Sequence, residues 1–156
     1  MEEAFWLRFL EAVTPKVRRG IRPGDRPDVT LTPGKTAEEC EAFLASVTSG
    51  RRTAVIRTPE EFRLEGRELQ RCGTYALLLR PDGEPCCVLR MTGTSLIPFR
   101  ELPDRLIDME GTGLTPKGRR DQLRAQLFRE AKAQGVPFSL DTLLVAETFV
   151  CAYWED

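Results

Sequence analysis

Chemistry first becomes available to this chain at Ser49-Gly50-Arg51-Arg52-Thr53-Ala54-Val55, a glycine turn carrying two arginines and a hydroxyl. The turn separates a stretch of helical spacing from one of strand spacing, so it delivers Arg51, Arg52 and Thr53 to one edge of a fold. Farther on, Asp108-Met109-Glu110-Gly111-Thr112-Gly113 sets a carboxylate beside a flexible glycine turn. Guanidiniums clamp phosphates or carboxylates bidentately. A threonine hydroxyl hydrogen-bonds a base or a phosphate, and a carboxylate accepts from exocyclic amines. These groups suit a pocket for a nucleotide base or phosphate, with Arg51, Arg52, Thr53 and Glu110 as the candidate ligand-binding residues. Each has a plainer reading: a surface arginine, a strand residue chosen for β-propensity, an acid at a helix end answering the arginines.

The same composition removes several chemistries. There is no histidine among the 156 residues, which excludes serine–histidine and cysteine–histidine hydrolases. Glu110 is the one candidate catalytic group, and general acid or base work would require burial to raise its pKa. Five cysteines (Cys40, Cys72, Cys86, Cys87, Cys151) form no C-x-x-C pair; the odd count argues for reduced thiols, and neither a zinc site nor a cofactor is expected. No apolar run is long enough to span a membrane, and Met1-Glu2-Glu3-Ala4 lacks a cationic secretory start, so a cytoplasmic location is expected. Trp6, Tyr75 and Trp154 are candidate stacking platforms for bases, with core packing as the commoner role. Cys86-Cys87 alternates across a strand, one thiol inward and one outward, as core filler.

Net charge is −1 but uneven. Residues 15–35 hold Lys16, Arg18, Arg19, Arg22, Arg26 and Lys35 against Asp25 and Asp28; residues 115–134 hold Lys117, Arg119, Arg120, Arg124, Arg129 and Lys132 against Asp121 and Glu130. Converging in space, the two would steer phosphates; apart, they are solvated faces. The loop 15–35 is also a candidate protein-contact surface.

The elements that must position these groups follow from period and punctuation. Phe5, Trp6, Phe9, Leu10 and Val13 predict a helix over 2–13, ended by Pro15. Four prolines and three glycines predict a long loop over 15–35. Thr36 and Glu39 predict a capping box opening a second helix, with Cys40, Phe43, Leu44 and Val47 inward and Gly50 closing it. Residues 52–57 read as a strand and 59–71 as irregular, broken by Gly66. A strand from Thr74 to Arg80, a Pro81-Asp82-Gly83-Glu84 turn and a return strand from Cys86 toward Ile97 predict a hairpin. A short helix over 102–109, a longer one from Thr115-Pro116 to near Gly135 and a strand from Leu143 to Trp154 complete the chain. The expected class is α+β: a small mixed or closed sheet flanked by helices, in one domain over 1–156 comprising helix 1–13, basic loop 14–35 and a core over 36–156.

The ordered set of these pieces resembles the ASCH domain, a member of the PUA-like group, from about Thr36 to Tyr153. It comprises Gly50-Arg51-Arg52-Thr53-Ala54, Glu61-Phe62-Arg63-Leu64-Glu65-Gly66, Asp82-Gly83-Glu84-Pro85, Ile97-Pro98-Phe99-Arg100-Glu101-Leu102, Glu110-Gly111 and Phe138-Ser139-Leu140-Asp141 with Val145-Ala146-Glu147-Thr148-Phe149. The N-terminal aromatic helix fits its bacterial members. The resemblance implies a β-barrel of about five to six strands flanked by helices, with a cleft between the Arg51–Val55 strand start and the Glu110 turn where RNA or a nucleotide binds. It also implies, as an alternative, a hydrolase acting on acetylated cytidine or on RNA. Those amidohydrolases use a lysine, a threonine and a glutamate in the cleft. Here the lysine position falls on Arg52 and the threonine position on Val55, with only Glu110 kept. Arginine stays protonated and valine offers no nucleophile. Of a tryptophan-arginine pair and a histidine on the next helix, Gly118, Arg119 and Gln122 keep only the arginine, so the resemblance adds Arg119 to Arg51, Arg52, Thr53 and Glu110 as an expected ligand- or RNA-binding residue. The expectation is binding without catalysis, with a protein-interaction module as a further alternative.

Overall fold

The computed structural model describes residues 1–13 and 23–156. In chain order the elements are α1 (Glu2–Val13), β1 (Val29–Leu31), α2 (Ala37–Thr48), β2 (Ala54–Arg57), α3 (Pro59–Glu65), β3 (Tyr75–Leu79), β4 (Pro85–Pro98), a 3-10 turn (Phe99–Glu101), α4 (Asp104–Met109), α5 (Pro116–Gln134) and β5 (Leu143–Trp154). The class is α+β. The strand order is β1-β3-β4-β5-β2, with β1 parallel to β3 and the pairs β3–β4 and β2–β5 antiparallel. This sheet is open and mixed, so the described strands do not close the barrel that the resemblance implies. The chain divides into two compact units, one of residues 1–51, 70–93 and 149–156, the other of residues 52–69 and 94–148. Strands β4 and β5 contribute residues to both.

The first unit is built on aromatic packing. Phe5, Trp6 and Phe9 are buried on α1 and cluster with Tyr75, Leu77 and Val88. Their rings meet at tilted or edge-on angles, Trp6–Phe9 at 4.7 Å and Phe9–Tyr75 at 5.5 Å between centroids, the geometry the ring quadrupole favours. Trp6 and Tyr75 are thus core residues, whereas Trp154 is exposed. The loop expected over 15–35 contains β1, held by Asp28. The Asp28 carboxylate accepts the Tyr75 N–H at 2.8 Å, and the Asp28 N–H donates to the Tyr75 carbonyl at 2.9 Å. Pro15, Lys16, Arg18, Arg19 and Arg22 lie outside the described residues. At the start of α2 the Thr36 hydroxyl accepts the Glu39 N–H at 3.1 Å, but the Glu39 carboxylate accepts from Lys35 rather than Thr36. The predicted box is therefore displaced by one residue. Gly34 turns the chain there at φ 77°, and a Cβ on it would lie 2.9 Å from the Cys40 nitrogen, so only glycine fits. Cys86 and Cys87 are both buried, which corrects the inward–outward reading: β4 is covered on both faces at that point.

The second unit has an aliphatic core of Ile56, Leu102, Ile107, Leu123, Leu127 and Leu144, with Phe99 and Ala146. The segment 59–71, expected to be irregular, opens with α3. Thr58 and Glu61 form a full capping box, Pro59 sits in the first turn, and Gly66 closes the helix at φ 67°. No residue of α3 is buried, so no apolar period announced it. Helix α5 begins at the predicted Thr115 cap, whose hydroxyl accepts the Gly118 N–H at 3.0 Å, and ends at Gly135.

Candidate functional site

Strand β2 pairs with β5 along one edge, Ile56 opposite Ala146. Its other edge meets the turn after α4. The Thr53 N–H donates to the Met109 carbonyl at 2.8 Å, and Glu110, the C-cap of α4, turns its side chain onto the strand. Glu110 Oε2 accepts the Ile56 N–H at 3.0 Å. Arg119, one turn into α5, donates through Nε to Glu110 Oε1 at 2.8 Å and through Nη2 to Oε2 at 3.2 Å. The same Nη2 reaches the Ile56 carbonyl at 3.3 Å, and Nη1 donates to Gln122 Oε1 at 2.7 Å. A carboxylate and a guanidinium thus satisfy the outward N–H and C=O of Ile56 as a neighbouring strand would. The Glu110 side chain is 2% and the Arg119 side chain 13% exposed, and a bidentate, charge-assisted pair of this kind fixes geometry as well as charge.

Of the residues singled out from the sequence, Glu110, Arg119 and the start of β2 come together within the second unit. Arg52 and Thr53 are half-buried. Arg51 belongs to the first unit, where it is exposed and its N–H donates to Ser49 Oγ at 3.4 Å.

A second buried carboxylate had no place in that prediction. Glu147 on β5 stands opposite Val55 and is 2% exposed. Arg57 Nη1 donates to Glu147 Oε1 at 3.1 Å, and Arg67 grips both oxygens, Oε2 at 3.0 Å and Oε1 at 2.5 Å. Both arginines also pair with Glu65, and the Arg67 guanidinium lies 5.4 Å from the Phe62 ring centroid. Burial works against the Arg67 cation, but the hydrogen bonds and charge of Glu147 outweigh it, so its pKa is raised. The signal available in sequence was alternation: in a strand whose even positions Leu144 and Ala146 enter the core, Glu147 points to the other face. Beside this cluster, Thr58 donates to Glu130 at 2.7 Å and Gln126 to Glu61 at 2.7 Å. Among the described residues no buried side-chain nitrogen or oxygen lacks a partner, and no group of three or more acids and thiols could hold a metal.

The first unit carries thiols instead. All five cysteines are free. A hydrogen bond with Cys87 holds the Cys86 thiol down, to about 7, while contacts with Cys151 and Cys86 push the Cys87 thiol up. A concavity of about 730 Å³ beside α1 is lined by Trp6, Leu10, Asp25, Arg26 and Leu77, and Trp6 Nε1 donates to the Gly24 carbonyl at 3.1 Å at its margin.

The fold is an α+β fold of the ASCH type. The chain belongs to the ASCH domain family, whose model matches residues 30–153. In structure it is similar to an ASCH domain from Lactobacillus crispatus JV V101, with a TM-score of 0.73 and 19% identity over 97% of this chain and 94% of that one. A protein from Enterococcus faecalis V583 is similar with a TM-score of 0.68 and 23% identity, over 96% of this chain and 86% of that one. At such identities the likeness is one of fold. No curated protein matches the chain in sequence. Among the described residues no helix is long and apolar enough to cross a membrane.

Proposed function

We propose that this ASCH domain binds RNA or a nucleotide at the start of β2, without catalysis. The observation that carries the reading is the state of Glu110. Both its oxygens are engaged, by Arg119 and by the Ile56 N–H, and it is 2% exposed. Three of the carboxylate's roughly four acceptor positions are thereby taken, and its burial keeps a substrate proton from the fourth. Its role is to hold β2 in place, together with Arg119. Arg51 and Arg52 then meet phosphate and the Thr53 hydroxyl meets a base or sugar. Family membership supports the ligand class, and the substitution of arginine and valine for the lysine and threonine of the amidohydrolases supports the absence of turnover. Free thiols throughout fit a reducing, cytoplasmic setting.

Anisotropy of a labelled single-stranded RNA, titrated at rising salt, tests the reading. Affinity should fall steeply, because phosphate contacts release counterions, and Arg51→Ala with Arg52→Ala should weaken binding and flatten that slope. A salt-independent affinity removes the phosphate role. Hydrolysis of acetylated cytidine or RNA that disappears in Glu110→Gln replaces binding with catalysis.

A further inference from the structure

Helix α5 turns Leu123 and Leu127 into the core and leaves Phe128 56% exposed. An exposed phenylalanine alone needs no explanation, but its surroundings do. Helix neighbours lie three and four positions away; for Phe128 these are Ala125 and Ala131, which keep the space around the ring clear, and Arg124 and Lys132, one cation a turn to either side. The Phe128 ring meets Phe138 edge-on at 6.1 Å, and the Arg124 guanidinium lies 5.9 Å from the Phe138 centroid.

The charges of the helix divide cleanly. Lys117, Arg119 and Arg120 are taken by Asp121, Glu110 and Asp104. Both acids of the helix are occupied too, Asp121 by Lys117 and Glu130 by Thr58 and Gln126. Arg124, Arg129 and Lys132 are exposed and make no ion pair among the described residues. The outer face of α5 is thus an aromatic surface edged by uncompensated positive charge. Of the three cations only Lys132 argues against a protein interface, where lysine is depleted but arginine is enriched; a polyanion is favoured because no acid among the described residues answers any of the three. A polyanion whose bases have π-faces matches both features at once.

We propose that this face binds single-stranded RNA, one base stacking on Phe128 while Arg124, Arg129 and Lys132 follow the phosphates. The proposal rests on the reading of the domain as an RNA binder and adds a contact surface separate from the start of β2.

The probe is a labelled single-stranded oligo-uridine RNA, measured by anisotropy against the full chain. Phe128→Ala should weaken binding by about 5- to 150-fold, the worth of one stacked base. Phe128→Trp should bind like the parent, with its indole quenched by the RNA. Arg124→Gln and Lys132→Gln should each lower the salt slope by about 0.7. Unchanged affinity in Phe128→Ala overturns the proposal, as does a Phe128→Ala variant that loses self-association while keeping its RNA affinity. Arg51→Ala with Arg52→Ala separates the two readings. Loss there with none at Phe128 sinks this inference alone, and loss at Phe128 with none there sinks the β2 reading and supports this one. A parent protein that binds no RNA at low salt sinks both.

Discussion

Glu110 and Glu147 are equally buried, and the two carboxylates are held in opposite ways. Glu110 is held by Arg119 through both of its oxygens and also accepts a backbone N–H of β2. Glu147 has two cationic partners, Arg57 and Arg67, themselves 15% and 17% exposed and backed by Glu65. A single-partner pair is a lock: removing one half strands the other in a medium that cannot solvate it. A shared pair is a network, in which one loss is absorbed by the remaining cation and by water at its margin.

The largest expected effect follows from the lock. Arg119→Met should destabilise the protein by about 3–5 kcal/mol, read as a lowered urea midpoint at unchanged slope, because Glu110 is left buried with no cation opposite. A cost below that of Arg67→Met would invert the comparison. Glu147→Gln should cost about 2–3 kcal/mol, the value of charged hydrogen bonds lost to an amide, in the same unfolding experiment. Arg67→Met should cost only about 1–2 kcal/mol, since Arg57 stays on Glu147. Combining it with Arg57→Met should cost more than the two single changes summed, and strict additivity would show that the network shares nothing. Smallest is Thr115→Val, about 1 kcal/mol from the α5 cap, measured as a drop in melting temperature. Thr115 is exposed at the helix start, so it calibrates what an ordinary hydrogen-bond loss costs in the same unit.

This contrast also explains what could be read from residue order. Helices α1 and α2 bury one stripe each, so their periods were visible. Helix α5 and the β3–β4 hairpin, whose strands are buried on both faces, were legible instead from the Thr115-Pro116 start, Gly135 and the Asp82-Gly83 turn. Helix α3 buries nothing, so only the Thr58-Pro59 start and Glu61 could have announced it, and these went unused beside four charged residues. Strand β1 is three residues long, too short for a period, and depends on Asp28 rather than on its own side chains. Glu110 and Arg119 were each legible as site candidates, but as ligand contacts and not as partners of one another. Their saturation was not legible, since it depends on the Ile56 backbone across a long separation in sequence. Glu147, Arg57 and Arg67 were missed because three distant segments supply them.

The division of the chain carries one more consequence. The unit containing α1 draws on residues 1–51, 70–93 and 149–156, and Tyr153 from the last of these packs against Phe5 and Phe9 at 5.4 and 5.9 Å. During synthesis the aromatic face of α1 must therefore wait for Tyr75, Leu77 and Val88, and it is fully covered only when β5 brings Tyr153. Neither unit can be cut out as a contiguous fragment. A nascent chain of this design is committed to late, non-local closure, and a holding chaperone would find its binding face on α1.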